Sequence, residues 1–389
     1  MDFPAVDAAL QAAVDGEQLA GVSYAIFRRD ATLARRCIGL ADREAGVPVR
    51  EDHLFRAFSN TKLVTSCAAL QLLEQGRFRL DDPVGRYIPA LKELRVLRPG
   101  ATSIEDTEPA REPVRIRHLL THTAGFTYGF TQPDAPIAKA YRAARILDPQ
   151  LDLSQMMQAL GRVPLLFEPG SAWNYSVATD VVGRLVEVVS GQRLDEYFRQ
   201  HIFAPLGMHD TFFSVPLEQQ SRLAALYIGS ISEPLRPGLR RADNLPYDGA
   251  YRRSVPFLGG GGGLVTSLSD YMSFVRALLA GGAPLLRPET MELVTRNQLP
   301  AGMWIQFPGQ PLQVGRGHSL AAAVVVREAP GVAQAEGQVY WGGLAGTKWF
   351  FSRREDLAAV LMTQRYMGSD LPYWPGFLQA LREDLQGAR

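Results

Sequence analysis

The sequence is poor in cysteine and in lysine. Two cysteines, Cys37 and Cys67, in 389 residues make no disulfide framework. Cys67 falls in an apolar run, where a buried free thiol is expected. Only four lysines occur, Lys62, Lys92, Lys139 and Lys348, and arginine carries the rest of the positive charge. The two signs nearly cancel, to a formal net charge of +1, so no global field draws the chain to nucleic acid or to an anionic membrane. No window approaches about 18 uninterrupted apolar residues, so no membrane span is expected. The first twenty residues carry acidic groups and lack a basic stretch followed by an apolar one, which does not read as a secretory signal. The expectation is a cytoplasmic protein. Hydrophobic residues at 46% and charged ones at 21% allow a sizeable core and argue against intrinsic disorder. The length suits one large domain or two intimately joined ones.

Val6, Leu10, Ala13 and Val14 recur at helical spacing and predict an amphipathic first helix. Two β-like runs, 22–27 and 33–38, flank Arg29-Asp30 and predict a hairpin. Phe58-Ser59-Asn60-Thr61-Lys62 leads into a long apolar helical run through Cys67, Leu70 and Leu73, with Gly76 as its stop. A helix is expected over 179–190, ended by Gly191. Strands return at 321–327, 338–341, 348–352 and 357–362, and an amphipathic helix closes the chain at 377–385. The fold class expected is α+β: one antiparallel sheet from the hairpin and the late strands, flanked by helices, with a mainly helical region inserted. The division is 1–82 with 256–389 as a discontinuous α/β domain and 83–255 as the helical one, with the active site between them. There are no internal repeats. The glycine run 259–263 lacks the Lys-Ser/Thr ending of a phosphate loop.

Ser59-Asn60-Thr61-Lys62 carries the sharpest chemistry. Positions i and i+3 share a helix face, so Ser59 Oγ and Lys62 Nζ can meet. A serine hydroxyl needs an adjacent base to become a nucleophile. A lysine with an ordinary pKa of about 10.4 is a poor base at neutral pH. Burial in the first turn of a helix disfavours its ammonium, and the helix N-terminus also offers N–H groups to an oxyanion. Of the four lysines, only Lys62 has a serine three residues earlier, and it precedes an apolar run where a merely solvated lysine is not expected. Tyr175, in Trp173-Asn174-Tyr175-Ser176-Val177 before a helix, can relay a proton to a leaving group; alone, it would read as an aromatic packed beneath a loop. Trp341-Gly342-Gly343-Leu344 closes a late strand, where paired glycines let a ligand approach the backbone; alone, this would read as a glycine turn.

Together these elements resemble the serine β-lactamase and penicillin-binding-protein superfamily, and in particular the class C β-lactamase-like esterases known as family VIII carboxylesterases. The likeness covers most of the chain. It includes the approach from Gly39-Leu40-Ala41-Asp42 to Leu54-Phe55-Arg56, the segment from His118 to Phe126, Pro205-Leu206-Gly207-Met208, and 260–264 with Thr266, Ser267 and Asp270. The resemblance implies that Ser59 attacks the acyl carbon, that Lys62 and Tyr175 shuttle protons, and that the N–H groups of Ser59 and Leu344 form the oxyanion hole. Water would hydrolyse the acyl-enzyme without metal or cofactor. Trp341, Gly342, Gly343 and Tyr128 are the candidate substrate-binding residues, with core packing an equal reading for Tyr128.

Two departures bear on the substrate. Tyr175-Ser176-Val177 stands where this class of β-lactamases has Tyr-x-Asn, and Trp341-Gly342-Gly343 where they have Lys-Thr-Gly. Tryptophan cannot replace a charge that engages a carboxylate, though its indole supplies an apolar wall and one N–H donor. Both changes point to an uncharged ester in a more apolar pocket, a carboxylic ester of small to medium size. Lys348 and nearby arginines are candidates for a displaced positive charge. An acyltransferase on the same scaffold, a weak β-lactamase or D-alanyl peptidase, and a non-catalytic binding protein are the alternatives. His122 is read as structural. Gly317-His318-Ser319 is a broken nucleophile elbow followed by strand-like rather than helical sequence. No motif sets the oligomeric state.

Overall fold

The computed structural model describes residues 2–368 and 370–387. Strands β1 (Gly21–Phe27) and β2 (Thr32–Asp42) form the expected hairpin, and β3 (Val47–Pro48) extends it. Late in the chain come β4 (Arg316–His318), β5 (Ala323–Val325), β6 (Val339–Gly342), β7 (Lys348–Ser352) and β8 (Leu357–Thr363). These eight strands make one sheet in the order β4-β5-β6-β7-β8-β1-β2-β3, every pair antiparallel. The hairpin therefore sits beside the last strand, with Ala25 opposite Val360.

The strand expected over 321–327 is shorter than its apolar run. Ser319 folds the chain into a turn, its N–H donating to Ala322 O at 2.8 Å and its Oγ accepting from the N–H groups of Ala321 and Ala322. This commits Ser319, fully buried, to a structural turn and removes it as a nucleophile. The edge strand Arg316–His318 was not foreseen, because three polar or glycine residues give no alternation to read.

Helices cover both faces. On one side α1 (Pro4–Asp15) and α5 (Tyr373–Gly387) bring Val6, Leu10, Phe377 and Leu381 against Tyr24, Ile26, Phe350 and Leu361. On the other, α2 (Thr61–Glu74) and α4 (Leu268–Leu279) bring Leu63, Cys67, Leu70, Phe274 and Val275 against Ala25, Phe27, Trp349 and Val360. The residues of β1 alternate between the two layers, as a pleated strand buried on both faces requires. Helix α5 starts at Tyr373 rather than 377, because Pro375 is tolerated in a first turn and Tyr373 and Trp374 are buried there. Helix α3 (Ala178–Ser190) ends at Gly191, whose φ of 75° and N–H bond to Glu187 O terminate it.

Every residue of α2 from Thr61 to Leu72 is buried, so this helix is the central post of the molecule rather than a surface helix. Cys67 within it is a free thiol, raised in pKa by burial. The strand Leu54–Arg56, paired with Val265–Ser267, delivers the chain to the start of α2. It is held by Arg56, fully buried, whose guanidinium donates to Ala224 O at 2.7 Å, Gln364 Oε1 at 3.2 Å and Asp243 Oδ1 at 3.0 Å. Among the described residues no helix is long and apolar enough to cross a membrane.

Candidate active site

The chain enters α2 through a turn with a positive φ. Phe58 has φ 44°, a left-handed conformation unfavourable for a bulky residue. Its ring is held edge-on by Tyr251 and Tyr366, with centroids at 5.8 and 5.9 Å. The 3₁₀ turn Phe58–Asn60 then places Ser59 just ahead of the helix rather than on it. Its side chain still meets the first helical turn, with Lys62 Nζ 3.3 Å from Ser59 Oγ. From the other side Tyr175 Oη donates to Ser59 Oγ at 2.6 Å. The three residues singled out from sequence thus converge on one oxygen, across 116 residues of chain between Ser59 and Tyr175.

Lys62 is only 3% exposed and has no carboxylate partner in hydrogen-bond reach among the described residues. Nζ donates to Tyr128 Oη at 2.8 Å and to Gly261 O at 2.7 Å, and lies 4.6 Å from the centroid of the Tyr175 ring. Tyr128, a candidate for binding substrate, is buried, stacks on Phe130 at 4.8 Å and accepts the hydrogen bond from Lys62. Burial holds its phenol well above the ordinary value, so it stays protonated beside Lys62.

The glycine run gains its meaning here. Gly260 O accepts from Thr65 Oγ1 at 2.7 Å, Gly261 O from Lys62, and the Gly261 N–H donates to Asp180 Oδ1 at 2.8 Å. A Cβ on Gly261 would stand 2.6 Å from Asp180 Oδ2, so only glycine lets this backbone pass between α2 and α3. Asp180 is buried on α3, and the raised pKa of its carboxyl follows from that burial. Composition showed the run but not what it touches.

At the end of β6, Trp341 faces Ser59, and its Nε1 lies 3.4 Å from Tyr175 Oη. A Cβ on Gly342 would meet Lys348 Cδ at 2.7 Å, and one on Gly343 would meet Ala57 O at 2.4 Å, so both permit close packing of strand end, lysine and serine turn. Leu344 lies in the turn that follows, beyond the strand where its N–H was expected. The N–H groups of Ser59 and Leu344 make no hydrogen bond to any described residue. Lys348 is opposite Gly342 in the ladder, while Trp341 is opposite Trp349. Pleating therefore turns Lys348 to the face away from Ser59, and it cannot act as a displaced cation there. Burial lowers its pKa to about 8.

Ser59, Lys62, His122, His318, Trp341 and Trp349 line a narrow, tightly packed cleft beside the serine. His122, read as structural, does bond Ser176 Oγ through Nδ1 at 3.3 Å, yet its ring also sits 5.0 Å from Tyr175. His318 was missed, its only sequence signal being the broken elbow. Its ring lies 5.3 Å from His122. Phe307 and Trp173 close the aromatic cluster around Tyr175. No group of three or more potential metal ligands occurs among the described residues.

Burial holds His122 well below the ordinary histidine value, and His118 and His318 at about 4. Unfolded, each would titrate near about 6.5. Between those values the unfolded chain binds more protons, so stability is full above about pH 6.5 and declines as the pH falls toward 4. The melting temperature at pH 5 is expected to lie about 5 °C or more below that at pH 7.5, with a smaller drop in His318→Gln. Scanning calorimetry across this range checks the sign; a melting temperature that rises on acidification contradicts it.

The family model described as Beta-lactamase matches residues 6–377. Esterase EstB of Burkholderia gladioli is 34% identical over 371 residues, covering 92% of this chain and 89% of its own. Among solved structures, EstCE1, titled a hydrolase with promiscuous acyltransferase activity, superposes with a TM-score of 0.82 at 27% identity, covering 97% of both chains. Unliganded simvastatin synthase from Aspergillus terreus, in its selenomethionyl derivative, gives 0.80 at 25% identity over 98% of both.

Proposed function

The chain belongs to the Beta-lactamase family, and we propose that it is a serine esterase working through an acyl-enzyme on Ser59. The observation that carries this reading is the convergence of Lys62 Nζ and Tyr175 Oη on Ser59 Oγ in a cleft to which the late strand contributes Trp341 rather than a lysine. The relatives named an esterase and a hydrolase with acyltransferase activity support it.

A neutral amine has two N–H groups and one lone pair. In the proposed cycle the two shorter contacts, to Tyr128 Oη and Gly261 O, take the N–H groups, and the lone pair faces Ser59. Ser59 loses its proton to Lys62 as Oγ bonds to the ester carbon. The carbonyl oxygen becomes an oxyanion bound by the N–H groups of Ser59 and Leu344. Collapse breaks the bond to the alcohol, which leaves with a proton relayed from Lys62 through Tyr175. Water, activated by the same pair, adds to the acyl carbon and releases the acid. A supplied alcohol in place of water gives acyl transfer, and the chemistry up to the acyl-enzyme is common to both.

The division into 1–82 with 256–389 and 83–255, with the site between, remains part of the proposal, as does a cytoplasmic location, with which two free thiols are compatible.

The test is p-nitrophenyl acetate and butyrate hydrolysis beside nitrocefin. With no cation facing Ser59 from β6 or β7, the esters are expected to exceed nitrocefin by about 10²-fold or more in kcat/KM, the loss typical of a missing buried charge partner. Fast nitrocefin cleavage with poor ester turnover contradicts the reading. Adding methanol or butanol during ester turnover measures transfer against hydrolysis.

A further inference from the structure

Gly261 O is one of the groups that hold Lys62 Nζ beside Ser59, at 2.7 Å. It belongs to the glycine run 259–263, which has no side chains of its own to pack and fix its course. Two helices fix it instead. Thr65 Oγ1, one turn along α2 from Lys62, donates to Gly260 O at 2.7 Å. Asp180 Oδ1, in the first turn of α3, accepts from the Gly261 N–H at 2.8 Å. That carbonyl and that N–H are the opposite ends of a single peptide unit, and neither has another hydrogen-bond partner among the described residues. The peptide is planar, so holding both ends fixes the plane from which the next carbonyl, Gly261 O, reaches Lys62.

An acidic residue in the first turn of a helix is ordinarily explained by the helix dipole. Asp180 does more than that: it is 1% exposed and spends Oδ1 on a backbone N–H 81 residues further along the chain. It makes no hydrogen bond to Ser59, Lys62 or Tyr175, so its link to the site runs through the glycine backbone. Resting on the esterase reading, we propose that Asp180 and Thr65 are positioning residues. They clamp the Gly260–Gly261 peptide so that Gly261 O takes one N–H of Lys62 and leaves the lone pair of the amine turned toward Ser59. With the clamp released, Gly261 O is free to swing, the amine rotates about its last bond, and the lone pair loses its alignment with the serine hydroxyl. The ester binds as before, so the defect falls on kcat.

The test measures kcat and KM for p-nitrophenyl butyrate in Asp180→Leu, Asp180→Asn and Thr65→Val, each also in the Lys62→Met background, with circular dichroism to confirm folding. Asp180→Leu, similar in size but without an acceptor, is expected to lower kcat by about 10²-fold with KM nearly unchanged, the scale of a misplaced catalytic group. Thr65→Val keeps the shape, loses the donor, and is expected to cost about tenfold by the same route. Asp180→Asn still offers an oxygen to the Gly261 N–H and should recover most of the loss. In the Lys62→Met background Asp180→Leu should cost little more, because residues that act through one partner are not additive. Should Asp180→Leu not fold, Thr65→Val carries the test by the same criteria. Wild-type kcat in the folded variants overturns this inference and leaves the esterase reading standing. So does an equal loss with and without Lys62, which marks a general structural role, or an Asp180→Asn as impaired as Asp180→Leu. No ester turnover by the wild type overturns the esterase reading and this inference with it.

Discussion

Ser59→Ala is expected to lower kcat for p-nitrophenyl butyrate by about 10⁴-fold or more, with little change in thermal stability. The loss is large because no other group in the cleft can form the acyl-enzyme. Ser319, the other serine with a motif-like setting, has its hydroxyl spent in the turn that ends before β5. Its removal should cost stability rather than activity. The geometry around Ser59 also explains why the defect should fall on kcat. Lys62, Tyr175 and the two unengaged N–H groups remain in place without the hydroxyl, so the ester can still bind, and what disappears is the bond to its carbon. Kinetics of the two alanine variants, run beside circular dichroism, check the pair. Full activity in Ser59→Ala would end the case for this nucleophile.

Lys62 separates a base from a mere cation. Lys62→Met is expected to lower kcat by about 10³-fold, within the range for loss of a general base. Lys62→Arg should fare no better, although it keeps a positive charge and hydrogen-bond donors for Tyr128 Oη and Gly261 O. A guanidinium does not give up its proton in a protein, so it cannot accept one from Ser59. If the lysine served only to attract or orient, Lys62→Arg would recover most of the activity. The readout is therefore the ratio of the two variants. Substantial activity in Lys62→Arg contradicts the proton-shuttle role.

Much of this site was legible because its chemistry is local. Ser59 and Lys62 are three residues apart, and a single turn of backbone brings them together. The strands showed as apolar runs because β1, β7 and β8 are buried on nearly every residue. What escaped the sequence is what long-range folding decides. Tyr128 reaches Lys62 across 66 residues and Gly261 across 199, and neither spacing carries a periodicity. The positive φ of Phe58, next to Ser59, and the edge contacts of its ring with Tyr251 and Tyr366 join residues far apart in the chain. The face of the sheet on which Lys348 lies follows from its register against Gly342, which strand propensity does not give. His318 sits in the short polar edge strand that periodicity overlooks.

The central claim is a covalent acyl group on Ser59, and trapping it is the most direct measurement. Wild-type protein mixed with excess p-nitrophenyl butyrate, quenched in acid within the first turnovers and digested for mass spectrometry, is expected to carry a butyryl group on the peptide containing Ser59, formed with a burst of nitrophenol and absent in Ser59→Ala. A butyryl group on any other residue, or turnover with neither burst nor adduct, would contradict it.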